Sequence, residues 1–131
     1  MESIVIAGCV ILEGDQLVTL ERISPNWYEL PGGKQEPGES LEQTAMREGI
    51  EELGSRIQII GYLGGSHFYY DRMDITSHWY QARIQEAPRV MEPQKFSSLA
   101  RIQLRLRQDH AISPNLHCFL QEIERGTIKL K

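Results

Sequence analysis

Long apolar runs are missing from this chain of 131 residues. None approaches the roughly 20 residues a membrane-spanning helix needs, so no membrane association is expected. Cysteine is scarce: Cys9 and Cys118 stand far apart in apolar stretches. Two cysteines do not make a disulfide scaffold, and they read as reduced, buried thiols of a cytoplasmic protein. A basic surplus is also lacking. The 14 lysines and arginines face 18 acidic residues, for a net charge of −4. Nothing there suggests a duplex-binding surface, so nucleic acid is not an expected partner. Repeats, low-complexity stretches and linkers are absent. A positive leader region is wanting too, because Glu2 precedes the apolar run Ile4–Leu12. That run reads as a core strand rather than a signal peptide.

What remains is ordinary globular material. Apolar residues make up 40% and charged residues 24%, which suits one domain over residues 1–131. Ile4–Leu12 has the continuous apolar character of a strand buried on both faces. A turn at Glu13–Asp15 leads to an alternating strand, Gln16–Arg22, and the two are expected to form a hairpin. Residues 23–39 read as loop, rich in proline and glycine. Ser40 and Gln43 form a capping box for a helix that Gly54 would end. Strands are expected at Arg56–Leu63, Ser66–Tyr70 and Asp74–Ile84, with a break at Gly64–Gly65. Phe96–Leu106 is ambiguous, with a short strand as one reading. A second helix starts at the cap Ser113 with Pro114 in its first turn. It carries the apolar stripe Leu116, Phe119, Leu120 and Ile123 and ends at Gly126. That stripe can pack on the sheet or form a homodimer contact; periodicity does not choose. The fold class is α+β.

The informative stretch is Gly32–Gly54, GGKQEPGESLEQTAMREGIEELG. Glu48, Glu51 and Glu52 lie at i, i+3 and i+4, neighbours on a helix. On a helical wheel they share one arc, and Met46, Ile50 and Leu53 fall roughly opposite. The reading is a helix anchored by one face and presenting carboxylates on the other. Clustered carboxylates repel unless a divalent cation reverses the sign, and Mg²⁺ prefers such hard oxygens shared with phosphates. Gly32–Gly33 lets backbone approach an ion or a phosphate. Arg47 is placed to pair with Glu51, or to reach Glu39 and tie loop to helix.

This segment resembles the signature of the Nudix (MutT-like) hydrolase family, G-x5-E-x7-R-E-U-x-E-E-x-G-U, where U is a bulky apolar residue. Gly33, Glu39, Arg47, Glu48, Glu51, Glu52 and Gly54 stand at the required spacing. Seven fixed positions at about 7% usage coincide by chance on the order of once in 10⁸ placements. The lead-in Trp27–Gly33, WYELPGG, looks similar as well. Gly49 and Ser55 depart from the pattern where apolar side chains are usual. Gly49 would let the helix pack close to a strand.

The resemblance implies an α/β/α sandwich with a mixed central sheet and two main helices. It implies that Glu48, Glu51 and Glu52 coordinate Mg²⁺ or Mn²⁺ with the carbonyl of Gly32, and that Glu39 and Arg47 shape the loop. Glu48 and Glu92 are the candidate general bases; Glu92 occupies a loop position like that of small nucleotide-cleaving members. Arg22, Gly33 and Lys34 are candidates for phosphate binding. Trp27, Tyr28, Phe68, Tyr69, Tyr70, Trp79 and Tyr80 offer stacking surfaces, and at most one of Tyr69 and Tyr70 can line a given pocket. His67 and His78 read as polar strand residues, since a hard-ion site has no use for imidazole.

The implied activity is metal-dependent pyrophosphohydrolysis of a nucleoside diphosphate linked to X. The first choice of substrate is a nucleoside triphosphate cleaved to monophosphate and pyrophosphate. Nucleotide sugars, dinucleoside polyphosphates and ADP-ribose stay open, because Ser98–Ile102 lacks the tryptophan-rich strand of triphosphate-cleaving relatives. The rival of another class is a non-catalytic nucleotide-binding module, against which the three retained glutamates argue.

Overall fold

The computed structural model describes residues 1–131. In chain order it contains β1 (Glu2–Glu13), β2 (Gln16–Arg22), β3 (Trp27–Glu29), β4 (Gly32–Lys34), α1 (Leu41–Leu53), β5 (Ile57–Tyr70), β6 (Met73–Ile84), β7 (Phe96–Gln103) and α2 (Pro114–Arg125). The strands form one mixed sheet in the order β3-β2-β1-β6-β5, with β4 also on β1 and β7 also on β2. β1 runs parallel to β6 and antiparallel to β2 and β4.

β1 is the spine, and its apolar run is explained by its two buried faces. Ala7, Cys9 and Ile11 face one core with Ala45 and Leu53 of α1. Val10 faces the other, with Trp79 and with Leu116, Phe119 and Leu120 of α2. The stripe of α2 is therefore covered by the sheet of its own chain. The β1–β2 hairpin forms, although only its last two residue pairs are in register.

Two elements differ from the sequence reading and a third resolves an open one. The stretch 23–39 is not all loop, because β3 pairs with β2 and β4 pairs with β1. The break expected at Gly64–Gly65 is an irregularity inside one 14-residue strand, β5, whose register shifts at 59/61 and 62/64 while pairing with β6 continues. The ambiguous segment after residue 96 is β7, pinned antiparallel along β2. At the β5–β6 turn, Asp71 and Arg72 both adopt positive φ, 50° and 62°, as a two-residue hairpin requires.

Candidate active site

Backbone contacts set the glycine loop in place. Gly32 pairs with Gly8 and Gly33 with Ala7 across β1 and β4. A Cβ on Gly32 would lie 2.7 Å from the Ala7 carbonyl oxygen, and one on Gly33 2.5 Å from Cδ of Glu48. The absent side chains let the loop lie against the sheet and leave space for the Glu48 carboxylate. The helix that follows starts with both halves of the capping box. The Gln43 N–H donates to Ser40 Oγ at 3.1 Å, and the Ser40 N–H to Gln43 Oε1 at 2.8 Å.

The orientation of α1 corrects the sequence reading. Its buried residues are Thr44, Ala45, Gly49, Glu52 and Leu53, whereas Ile50 is 42% exposed. The carboxylate arc and the anchoring arc overlap rather than oppose. The physical reason is Gly49. A Cβ there would come within 3.1 Å of Cys9 Sγ and Ile57 Cγ1, so the helix approaches the sheet along its small residues and brings the neighbouring glutamates inward. Glu52 is 4% exposed and accepts the Gly32 N–H at 2.8 Å. Burial pushes its carboxyl up to about 9, and the nearby Glu48, Glu29 and Glu92 push the same way. Burial also raises Glu48, against the Arg47 guanidinium. Glu51 faces outward, with 55% of its side chain exposed.

Arg47 makes both contacts foreseen for it. Its Nε donates to Glu39 at 2.6 Å, its Nη1 to Glu48 at 2.9 Å and to Glu51 at 3.4 Å, and its Nη2 to the Lys34 carbonyl at 3.0 Å. The arginine holds the Glu39 carboxyl down at about 2. Ser55, the second departure from the family pattern, is buried and accepts the N–H groups of Gln85 and Glu86 on its Oγ. It ties the end of α1 to the end of β6.

The remaining predicted residues divide. Glu92 sits in the turn entering β7, where its carbonyl accepts the Lys95 and Phe96 N–H groups, close enough to Glu48, Glu52 and Arg22 to act on their charges. Arg22 is held by Glu29 in a bidentate pair of 2.5 and 3.0 Å and lies over the Phe96 ring at 5.0 Å. Lys34 points elsewhere: its side chain is 65% exposed, 3.8 Å from Glu2. A cavity of about 320 Å³ opens beside the glycine loop. Arg22, Trp27, Glu29, Gly32, Gly33, Phe68, Tyr70 and Asn115 are among its lining residues. Tyr70 meets Trp27 edge to face at 5.5 Å, and Tyr69 is 65% exposed on the opposite side of the strand.

Sequence reasoning missed Glu29 and Asn115. Glu29 lay in a stretch read as loop, at the end of a strand of only three residues. Asn115 Oδ1 accepts both Ser77 Oγ at 2.5 Å and the Trp79 indole N–H at 3.0 Å. Indole is only a donor, so this fixes the amide's orientation. The Asn115 NH₂ group, with no protein acceptor, is left on the cavity lining.

The donor set suits a hard divalent cation. It consists of carboxylate and carbonyl oxygens, and its innermost member, Glu52, is buried beside Glu48 with only one N–H to satisfy it. A buried carboxylate without a cation is costly. The side chains are not drawn together around one point, however: no three acidic, histidine or cysteine groups converge as a metal cluster. Glu52 is turned to the Gly32 amide, Glu48 to Arg47, and Glu51 to solvent.

A mixed sheet between two helices, with a glycine loop and acidic helix beside a cavity walled by aromatic rings, defines a class, and comparison with known proteins names it. The model of the NUDIX domain matches residues 3–115, and the chain belongs to this family. The MutT NUDIX hydrolase of Burkholderia pseudomallei superposes with a TM-score of 0.84 at 22% identity, over 94% of this chain and 99% of that one. A Bacillus subtilis protein named "Putative 8-oxo-dGTP diphosphatase YtkD" is 54% identical over 37 residues, 28% of this chain and 23% of its own. A MutT-like protein of Streptomyces ambofaciens is 36% identical over 59 residues, 45% of this chain and 38% of its own. The chain thus matches well under half the length of these curated relatives. The expected sandwich is the observed fold, and no helix is long and apolar enough to cross a membrane.

Proposed function

We propose that the protein is a divalent-metal-dependent pyrophosphohydrolase acting on a nucleoside triphosphate. One observation carries the reading: a single cavity is lined both by the glycine loop and by aromatic rings with an amide donor. Gly32, Gly33 and Arg22 supply backbone and guanidinium contacts for phosphate oxygens. Trp27, Phe68 and Tyr70 offer faces and edges to a base. The Asn115 NH₂ selects a base with an acceptor on its exposed edge, such as the carbonyl oxygen of guanine or 8-oxoguanine. The name of the Bacillus subtilis relative points to the same substrate class.

Glu48, Glu51 and Glu52, with the Gly32 carbonyl, are the residues that would hold Mg²⁺ or Mn²⁺. Bound there, the ion supplies charge neutralisation on the diphosphate and a more acidic water. Glu52 stays close to Gly32, and Arg47 keeps Glu48 beside the loop. Glu92 or Glu48 takes the proton of the attacking water, with Glu92 delivered by the turn before β7. The scissile bond is the anhydride whose cleavage yields monophosphate and pyrophosphate.

The test is a panel of nucleoside triphosphates, including 8-oxo-dGTP, with nucleotide sugars, ADP-ribose and dinucleoside polyphosphates. It is run with Mg²⁺ and with Mn²⁺ and read for phosphate and pyrophosphate separately. The expected result is pyrophosphate from a guanine-type triphosphate, lost on chelation. Tight nucleotide binding without turnover of any compound would make the chain a binding module. Preferred turnover of a sugar nucleotide or dinucleotide would move the substrate class.

A further inference from the structure

We infer that Glu29 is a positioning residue that aims Arg22 at phosphate and joins it to the aromatic wall of the cavity. This rests on the proposal that Arg22 meets a substrate phosphate. The β2–β3 register sets the geometry. Leu20 stands opposite Glu29 and Arg22 opposite Trp27. Residues two apart share a face, so Arg22, Trp27 and Glu29 all project to the cavity side.

Glu29 uses both oxygens on one edge of the guanidinium. Arg22 Nε donates to Oε1 at 2.5 Å and Nη2 to Oε2 at 3.0 Å. The plane lies over Phe96. Fork and ring together fix the guanidinium in rotation and tilt. The Nη1 end donates to no protein group, so its N–H pair is free for a phosphate oxygen. Glu29 thus orients the cation and does not occupy its binding edge. The Glu29 side chain is only 14% exposed, as a fixed orienting group should be.

The same Oε1 accepts the Trp27 indole N–H at 2.8 Å, and the Trp27 ring packs edge to face on Tyr70, a second lining residue of the cavity. A base that moves Trp27 must move the carboxylate holding Arg22. The base wall and the phosphate arm are therefore one hydrogen-bonded unit.

The test is a double-mutant cycle with Glu29→Gln and Arg22→Gln, with Mg²⁺ present. The probes are inorganic tripolyphosphate and the non-hydrolysable imido analogue of GTP, with affinity measured by calorimetry and thermal midpoints recorded beside it. Glutamine keeps the shape of Glu29 but loses one of the two acceptors. Glu29→Gln is expected to weaken tripolyphosphate about tenfold in the parent and less than twofold in the Arg22→Gln background. Trp27→Phe, which removes the indole donor, is expected to weaken tripolyphosphate by two- to threefold although it touches no phosphate. An unchanged affinity in Glu29→Gln overturns the inference, as does the same loss in both backgrounds. Coupling seen in the midpoints but not in affinity also overturns it, by making the pair structural only. Tripolyphosphate binding with this coupling but no turnover of any nucleotide leaves the positioning role standing and refutes the hydrolase reading alone.

Discussion

The two helices start and stop alike and pack by opposite means. Each has a serine cap and a glycine in the left-handed conformation at its end. α2 buries Leu116, Phe119 and Leu120, a stripe of large apolar groups. α1 buries Thr44, Ala45, Gly49, Glu52 and Leu53, mostly small or polar. α2 is held by the area it removes from water. α1 is held by close backbone approach and by Arg47, and places its acids where burial is unfavourable. Stability belongs chiefly to the first arrangement, and the acids of the proposed chemistry sit on the second.

The contrast can be tested by damaging each helix at its centre. Glu52→Gln is expected to lower turnover on the order of 10³-fold, since under the proposed function several kcal/mol of charge stabilisation depend on the ion that Glu52 would hold. Its thermal midpoint should stay level or rise in metal-free protein, because a buried carboxylate is replaced by an amide. Phe119→Ala should do the reverse, costing about 3–5 kcal/mol in denaturant unfolding with turnover per folded molecule little changed. If Glu52→Gln unfolds the protein and Phe119→Ala does not, the division of labour is wrong. Gly49→Leu should destabilise by about 1–3 kcal/mol or more through overpacking against Cys9 and Ile57; a rise in the denaturation midpoint would refute close packing.

Smaller effects sharpen the comparison. Arg47 holds the folded Glu39 carboxyl near 2, below its unfolded value of about 4.3. The stability from this pair is therefore complete above the unfolded value and is lost as pH falls through about 2. The midpoint gap between parent and Glu39→Gln should be full at pH 7, narrow below about pH 4.5 and close near pH 2. Each helix also has a thiol to report on it. Cys9 lies beneath α1, fully buried, its thiol pushed up to about 12 by burial and donating to the Ala45 carbonyl. Cys118 on α2 is half-buried. Native-state alkylation at pH 8 should label Cys118 and spare Cys9 until denaturant is added.

The same contrast explains what the sequence could reveal. α2 was legible to its stripe and caps, because burial and periodicity agree there. β1 and β2 were legible because their apolar runs report the two cores. The box residues Glu39, Arg47, Glu48 and Glu52 were found by spacing, and the structure brings them to the glycine loop. The face of α1 was misjudged because a hydrophobic wheel cannot weigh a glycine that invites close approach, and Ile50 went to solvent. β3 and β4 were hidden among prolines and glycines, their three-residue lengths too short for alternation to show. Glu29 went unseen with them, since its role depends on cross-strand register. Lys34 had the right charge and chain position but follows the alternation of β4 away from the cavity.

Because β4 is hydrogen-bonded into β1, the glycine loop belongs mechanically to the sheet. The Gly32 N–H is held by Glu52, the Cys9 N–H by the Pro31 carbonyl and the Gln35 N–H by the Val5 carbonyl. Opening the loop thus requires unzipping part of the central strand. Its amide protons should exchange with solvent as slowly as those of the core, and a carbonyl built there keeps its aim without having to be recruited on each encounter.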